Sequence, residues 1–353
     1  MMKKVELVFV PAPGFSHLVP TIEFAKRLIH QDGRFSITIL IMKHLLEPNS
    51  ITYLPSTAAT EPCIKLIDLP QADPPSPDLS KYPETYFCTS IDNYKPHVKR
   101  VVAELVDQSL SNSSSVRIAG LVLDFFTVPM VEVGDEFGIP SYLFITASAA
   151  FLGLMLYLLA RYNDRVDAEL EDSGPEWAIP SFVLPKPLFI KEDGYAATMK
   201  LVKRFKDVKG IIVNTFMEME SYALNSFLDG ETPPVYPVGP MVSLASGAHL
   251  SPNGVHYKHI MTWLDDQPAS SVVFLSFGSM GSLTLEMKLE YRNGDDHLVL
   301  EDEVEKAIRC VMEGNSDVRR RVKEMGESSR KAVIDGGSSF TSLGLLIEDM
   351  RTL

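Results

Sequence analysis

The sequence predicts an α/β chain: a doubly wound parallel sheet through residue 240, then a second α/β unit that stops short. Three observations point there. Apolar, β-branched runs alternate with segments of helical spacing along the first 240 residues, the pattern of strands and crossover helices. Several of these runs end on a Pro/Gly turn or a polar side chain, where strands of such sheets hand over to helices. After Ser282 the alternation ceases and helical spacing dominates.

Taken in order, Val5–Val10 is the first strand, and Pro11-Ala12-Pro13-Gly14 breaks it. Ile22, Phe24, Ala25, Leu28 and Ile29 then recur on a helical face. Phe35–Ile41 and Ile64–Ile67 are strands, and Pro70–Pro83 is a proline-rich loop. Tyr94–Leu110 is an amphipathic helix stopped by the serine-rich run 111–115. Ile118–Leu123 is a strand closing on Asp124, and Val128–Phe137 is a helix. Phe137 to Ala160 carries no charge and is long enough to cross a bilayer. Pro140, Ser141, Thr146 and Ser148 divide it instead into a buried strand, Ser141–Ile145, and a helix, Ala147–Tyr162. Gly210–Val213, Glu218–Phe227 and Val235–Val238 read as strand, helix and strand. The stretch 241–257, rich in Ser, Gly, Ala and Pro, reads as a linker. Helix His259–Leu264 and strand Ser271–Phe277 open the second unit, and Val304–Met312, Val318–Val333 and Phe340–Met350 are helices. The expected division is therefore 1–240, a linker over 241–257, and 258–353.

Composition narrows the function. The 353 residues suggest two domains at about 150 residues each. With 33 basic against 46 acidic residues the formal net charge is −13, which disfavours nucleic acid and anionic membranes as partners. Cys63, Cys88 and Cys310 are odd in number and far apart, which fits neither a disulfide framework nor a C-x-x-C metal site. A reducing, cytoplasmic location is expected. The start of the chain resembles a leader peptide, but Glu6, Pro11 and Pro13 interrupt its apolar run. No transmembrane span is expected, and the chain is expected to be a monomer.

Four places can carry chemistry. His17 follows a strand and a Pro/Gly turn at the mouth of a helix, beside the strand ends where open α/β sheets bind ligands. The positive end of the helix dipole is expected to lower its pKa and favour the neutral base, which can accept a proton from a bound hydroxyl. A capping or surface histidine is the plain alternative. Asp124 closes a strand before Phe125-Phe126; it can cap the next helix, or bond the far nitrogen of His17 and stabilise the imidazolium. Thr146 ends the next strand on the same edge. The run Phe277-Gly278-Ser279-Met280-Gly281 can present backbone N–H groups to an anion such as a diphosphate, although Gly/Ser turns are common. No P-loop, H-E-x-x-H, G-x-S-x-G, G-x-G-x-x-G or Asp-x-Asp pattern occurs, and a metal-dependent mechanism has no motif behind it. A hydrolase built on His17 and Asp124 would lack a nucleophile or oxyanion motif. The Asn112-Ser113-Ser114 sequon reads as a plain loop.

Taken together, several segments resemble the plant family 1 UDP-dependent glycosyltransferases. They are Val8–Pro20, Leu121–Phe126, Gly138–Ser148, Ile212–Phe216, Trp263–Pro268 with Ser271–Ser279, and Gly336–Gly344. The likeness is closest to members that glucosylate flavonoids, other phenolics and small plant hydroxyl compounds. It implies a GT-B architecture of two Rossmann-like domains, the first holding the acceptor and the second the UDP-sugar, with inverting transfer and no metal or other cofactor. UDP-glucose is the implied co-substrate and a small phenolic the implied acceptor. By this resemblance His17 is the general base, Asp124 its partner, and Thr146 a contact to the donor sugar. Gly278 and Ser279 lie near the diphosphate, and Phe15 and Ser16 border the acceptor pocket.

The departure from the family is large. Its donor signature opens with Trp-Ala-Pro-Gln, contains His-Cys-Gly-Trp-Asn-Ser and closes with an acidic residue beside Gln; none of this occurs here. The sequence passes from Phe277–Leu283 to Leu285–Arg292, so an internal deletion is placed near 283–285. The second Rossmann-like domain is then a truncated remnant, and its surviving helices are expected to pack on the first domain or to stay loose. Little or no transferase activity is expected of the chain alone. Two other readings stand beside the enzyme: a non-catalytic form that binds acceptors or interferes with a full-length relative, and a gene model that has lost an exon. The loops 70–83 and 171–187 do not identify the acceptor.

Overall fold

The computed structural model describes residues 4–43, 61–111, 116–163, 194–228, 230–242, 254–268, 271–272, 301–312 and 317–352. The sequon at 112–114, most of the linker, the loop 171–187, residues 273–277 of the expected strand, Gly278, Ser279 and the junction near 284 lie outside the described residues.

Seven parallel strands form one sheet. They are β1 (Lys4–Val10), β2 (Phe35–Ile41), β3 (Ile64–Asp68), β4 (Val116–Asp124), β5 (Ser141–Ile145), β6 (Gly210–Val213) and β7 (Val235–Pro237). Their order is β3-β2-β1-β4-β5-β6-β7, so the winding reverses between β1 and β4. In sheets of this kind the crevice outside the carboxyl ends of those two strands receives ligands.

The strands are apolar on both sides because both faces are covered. On one face Val8, Val10, Leu40, Leu121, Leu123, Leu143, Ile145, Ile211 and Val213 join a core with five helices. These are α2 (Pro83–Asp92), α3 (Lys95–Ser111), α4 (Val131–Phe137), α5 (Ala149–Asn163) and α6 (Gly194–Val202), and α7 (Met217–Asn225) adds Leu224. The opposite face, with Leu7, Phe9, Ile37, Ile39, Phe144 and Ile212, is covered among the described residues by α1 (Phe15–Gln31) and α11 (Ser338–Arg351). The cover of this second face thus comes from the two ends of the sequence.

α11 is seated by apolar packing and by polar bonds at its end. Leu343, Leu346, Ile347 and Met350 are buried against the sheet. The Tyr142 hydroxyl donates to Asp349 Oδ2 at 2.8 Å, Lys209 Nζ pairs with Asp349 Oδ1 at 3.1 Å, and Arg117 donates to the carbonyls of Met350 and Arg351. Burial, with the bond to Asp349, pushes the Tyr142 phenol well above its ordinary value. The turn into α11 uses two glycines. Gly336 has φ 77°, and a Cβ on Gly337 would run into the carbonyl oxygens of Lys331 and Ala332.

The chain divides into two compact units, 1–243 with 331–353, and 244–330. This differs from the sequence division, which placed 331–353 with the second domain: the C-terminal helix completes the core of the first unit. In the second unit the described elements are α8 (Gly254–Asp265), α9 (Glu301–Met312) and most of α10 (Asp317–Ala332). α8 begins inside the expected linker and is longer than the expected 259–264. The segment 128–137 is a short 3-10 turn, Val128–Met130, followed by α4, and α2 and α6 are additions to the expected elements. Residues 141–163 form strand β5 and helix α5, and no helix among the described residues is long and apolar enough to cross a membrane.

Candidate active site

The switch point of the sheet brings His17 and Asp124 together across 107 positions of sequence. β1 ends at Val10, and the chain turns through Pro11–Gly14 into α1. Gly14 makes that turn possible: its φ of 130° lies in the region that side chains other than glycine rarely adopt. It caps α1 with its carbonyl accepting from the N–H groups of His17 and Leu18, which places His17 in the first turn. Asp124 is the last residue of β4, paired in register with Phe144 of β5.

His17 Nδ1 and Asp124 Oδ2 are 2.8 Å apart, with the aspartate side chain 2% exposed and the imidazole 23% exposed. The other carboxylate oxygen accepts from the backbone N–H of Phe126 at 3.1 Å. An ionised carboxylate is acceptor-only, so Nδ1 donates to it and the lone pair resides on Nε2. Burial pulls the imidazole pKa down, but the Asp124 hydrogen bond and charge together outweigh it and leave His17 above its ordinary 6.5. This corrects the direction expected from the helix start. The dipole at the start of α1 is partial and local, whereas the carboxylate is a full charge at bonding distance.

The remaining expected residues stand as follows. Ser16 is exposed and Phe15 half-buried in the first turn of α1. Thr146 follows β5 directly, half-buried, and its carbonyl accepts from Asn214 Nδ2 at 3.2 Å. Gly278 and Ser279 lie outside the described residues.

Sequence reasoning missed several neighbours. Phe126 meets the His17 ring edge-on at 5.6 Å between centroids, and Phe87 of α2 meets Phe126 at 5.1 Å. Phe125 continues the aromatic set to Phe151 and Phe205. These rings set an apolar side against the imidazole. The Phe125-Phe126 pair was visible in the sequence, but Phe87 comes from a helix whose pattern is weak. Glu220 of α7 caps α5, accepting from the N–H groups of Ala149 and Ala150 at 2.8 and 3.0 Å. With Asn214 it braces the turn that carries Thr146.

Comparisons with known proteins add to this geometry. No family model matches the chain. The chain is 35% identical to UDP-glycosyltransferase 71K2 of Pyrus communis, with 99% of this chain and 98% of that protein covered. It is 32% identical to the flavonol 3-O-glucosyltransferase UGT71C4 of Arabidopsis thaliana, over 99% of this chain and 98% of that one. Among solved structures, Medicago truncatula UGT71G1 complexed with UDP-glucose superposes with a TM-score of 0.85 at 33% identity, covering 98% of each chain. The first of these alignments runs over 474 positions against 353 residues, so a large block of that relative faces no residue here.

Proposed function

The chain belongs to the plant UDP-glycosyltransferase family, with its GT-B type of α/β fold, and from that premise we propose that its first unit binds a small phenolic acceptor and carries the base for sugar transfer from a UDP-sugar. The observation behind this reading is the 2.8 Å pairing of His17 with Asp124 at the switch point of the sheet. The flavonol-named relative supports the acceptor class, and the neighbour complexed with UDP-glucose supports glucose as the sugar.

In this mechanism Asp124 holds Nδ1–H, and Nε2 takes the proton from the acceptor hydroxyl as its oxygen attacks the anomeric carbon. The bond from that carbon to the diphosphate oxygen breaks on the opposite face, UDP leaves with the electron pair, and the configuration inverts. The proton ends on His17, and Asp124 balances the imidazolium. Phe15 and Ser16 border the acceptor in this reading, Thr146 contacts the donor sugar, and Gly278 and Ser279 lie near the diphosphate. The cytoplasm is the compartment we assign, in keeping with Cys63 and Cys88 not being joined in a disulfide.

Holding the donor carbon against the acceptor oxygen is worth roughly 7–11 kcal/mol of the barrier. The family's donor signature is missing from the sequence, and a block of the first relative has no counterpart here. We therefore assign to this chain acceptor binding and ionisation, with transfer far below that of a full-length relative.

The test needs no donor. 4-Nitrophenol is titrated with the full chain and its phenolate absorbance followed, with UDP-glucose binding measured by calorimetry in parallel. Saturable growth of the phenolate band that is lost in His17→Ala supports the reading. Binding without ionisation, or ionisation indifferent to His17, overturns it. UDP-glucose turnover at the rate of a full-length relative would overturn the second part alone.

A further inference from the structure

We infer that Thr127 is a positioning residue for the His17–Asp124 pair: its hydroxyl ties the carboxyl ends of β1 and β4 together and so fixes where the carboxylate meets the imidazole. The inference rests on the proposed role of that pair and goes beyond it, since Thr127 belongs to neither partner.

The two strands that carry the pair lie side by side, Val10 in register with Leu123. Past that point the ladder stops and the chains part, one through Pro11–Gly14 into α1 and the other through a turn into the segment 128–130. Thr127 sits where they part and is fully buried. Its Oγ1 donates to the carbonyl of Val10 at 2.6 Å and accepts from the N–H of Asp124 at 2.8 Å. Its own N–H donates to the carbonyl of Asp124 at 3.1 Å, closing the turn 124–127. Inside that turn the N–H of Phe126 holds one carboxylate oxygen, which leaves the other aimed at His17. The backbone of the turn thus aims the carboxylate, and one hydroxyl anchors the turn to the strand from which the His17 segment departs. A serine retains that anchor. A valine keeps the shape but leaves the Val10 carbonyl and the Asp124 N–H without it.

Among the described residues Asp124 is the ionisable group acting on the His17 ring, so the titration of that ring reports the pair directly. The experiment follows the His17 imidazole by NMR through a pH titration of the full chain, in the wild type and in Asp124→Asn, Thr127→Val and Thr127→Ser. The wild type should titrate above 6.5. Asp124→Asn should lower the midpoint by about one unit or more, as loss of a bonded opposite charge does. Thr127→Val should move it the same way by part of that amount, and Thr127→Ser should restore the wild-type curve. Packing alone would leave Val and wild type alike, because their shapes match. A Val variant that titrates as wild type, or a Ser variant displaced as far as Val, overturns the inference and leaves the pair intact. An Asp124→Asn curve that does not move overturns the pair itself and the inference with it. If Thr127→Val fails to fold, Thr127→Ala, which demands no new volume, takes its place with the same expected shift, and the Ser arm stands on its own.

Discussion

The two compact units use apolar residues in opposite ways. In the first, both faces of a seven-stranded sheet are covered, and polar groups far apart in sequence meet at partly buried positions: His17 with Asp124, Tyr142 with Asp349, Glu220 with the start of α5. In the second, no described side chain between 258 and 330 is buried. Ile260 and Trp263 on α8, and Val318, Val322 and Met325 on α10, are apolar yet exposed. The pairs Arg309–Glu305, Arg320–Asp317 and Arg320–Glu324 each stay within one helix. Such local pairs hold a helix and add little to a tertiary structure. A helix acquires most of its stability from the surface it buries, so among the described residues this kind of pattern yields a core in the first unit and exposed apolar positions on α8 and α10 in the second.

The largest expected effect tests whether α11 is a true part of the first unit. Leu346 is fully buried between α11 and the sheet, and Leu346→Ala removes methyl groups from a site that cannot fully collapse. The expected loss is about 2–5 kcal/mol, read from urea unfolding of the whole chain. A loss as small as that of a surface change would mean that the first unit closes without α11, and the division of the molecule would have to be redrawn.

How much of this was legible depended on whether the deciding force was local. β2, β5 and β6 lie where their apolar runs predicted, because each run is preceded by a residue that interrupts the apolar pattern: Arg34, Pro140 and Lys209. α2 was missed: Thr, Tyr, Phe and Cys give it a weak helical pattern, and its packing into the core decides its state. α6 opens on Gly194 and is buried on most positions, so it shows no polar face to betray its period. α11 was legible as a helix, but its period names no partner, and its place on the second face is a contact more than a hundred residues long. The same contrast governs the site. Asp124 was found as a strand-end residue and His17 as a residue at a helix start after a strand and turn, both local signals. The direction of the imidazole pKa was misread because the local helix start predicted one sign and the distant carboxylate imposed the other.

An intermediate effect sharpens the electrostatic side of the comparison. The folded pKa of His17 is raised above its ordinary 6.5, so the folded state binds its proton more tightly than the unfolded chain does. The resulting stability is fully present below 6.5 and is lost as pH rises through the folded value. The stability gap between wild type and His17→Gln should therefore narrow across that window, by about 1.4 kcal/mol for each unit by which the folded value is raised. Denaturant unfolding at a series of pH values measures it. A gap that stays constant, or widens with pH, would show that Asp124 does not hold the imidazolium.

The smallest expected effect is in the second unit, and its smallness is the point. Val322 lies on the apolar stripe of α10 and is 67% exposed, so Val322→Ser removes little buried surface. Serine and valine have similar helix propensities, so the change should stay within about 0.5 kcal/mol. Set beside Leu346→Ala, it asks whether an apolar residue matters by its type or by what covers it. The measurement is the same urea unfolding, followed by a probe on α10 itself. A loss comparable to that at Leu346 would mean that the α10 stripe is covered in solution, and that the second unit holds a core of its own. Indifference at Val322 with a large loss at Leu346 would locate the stability of this chain in the first unit, where His17 and Asp124 also pair.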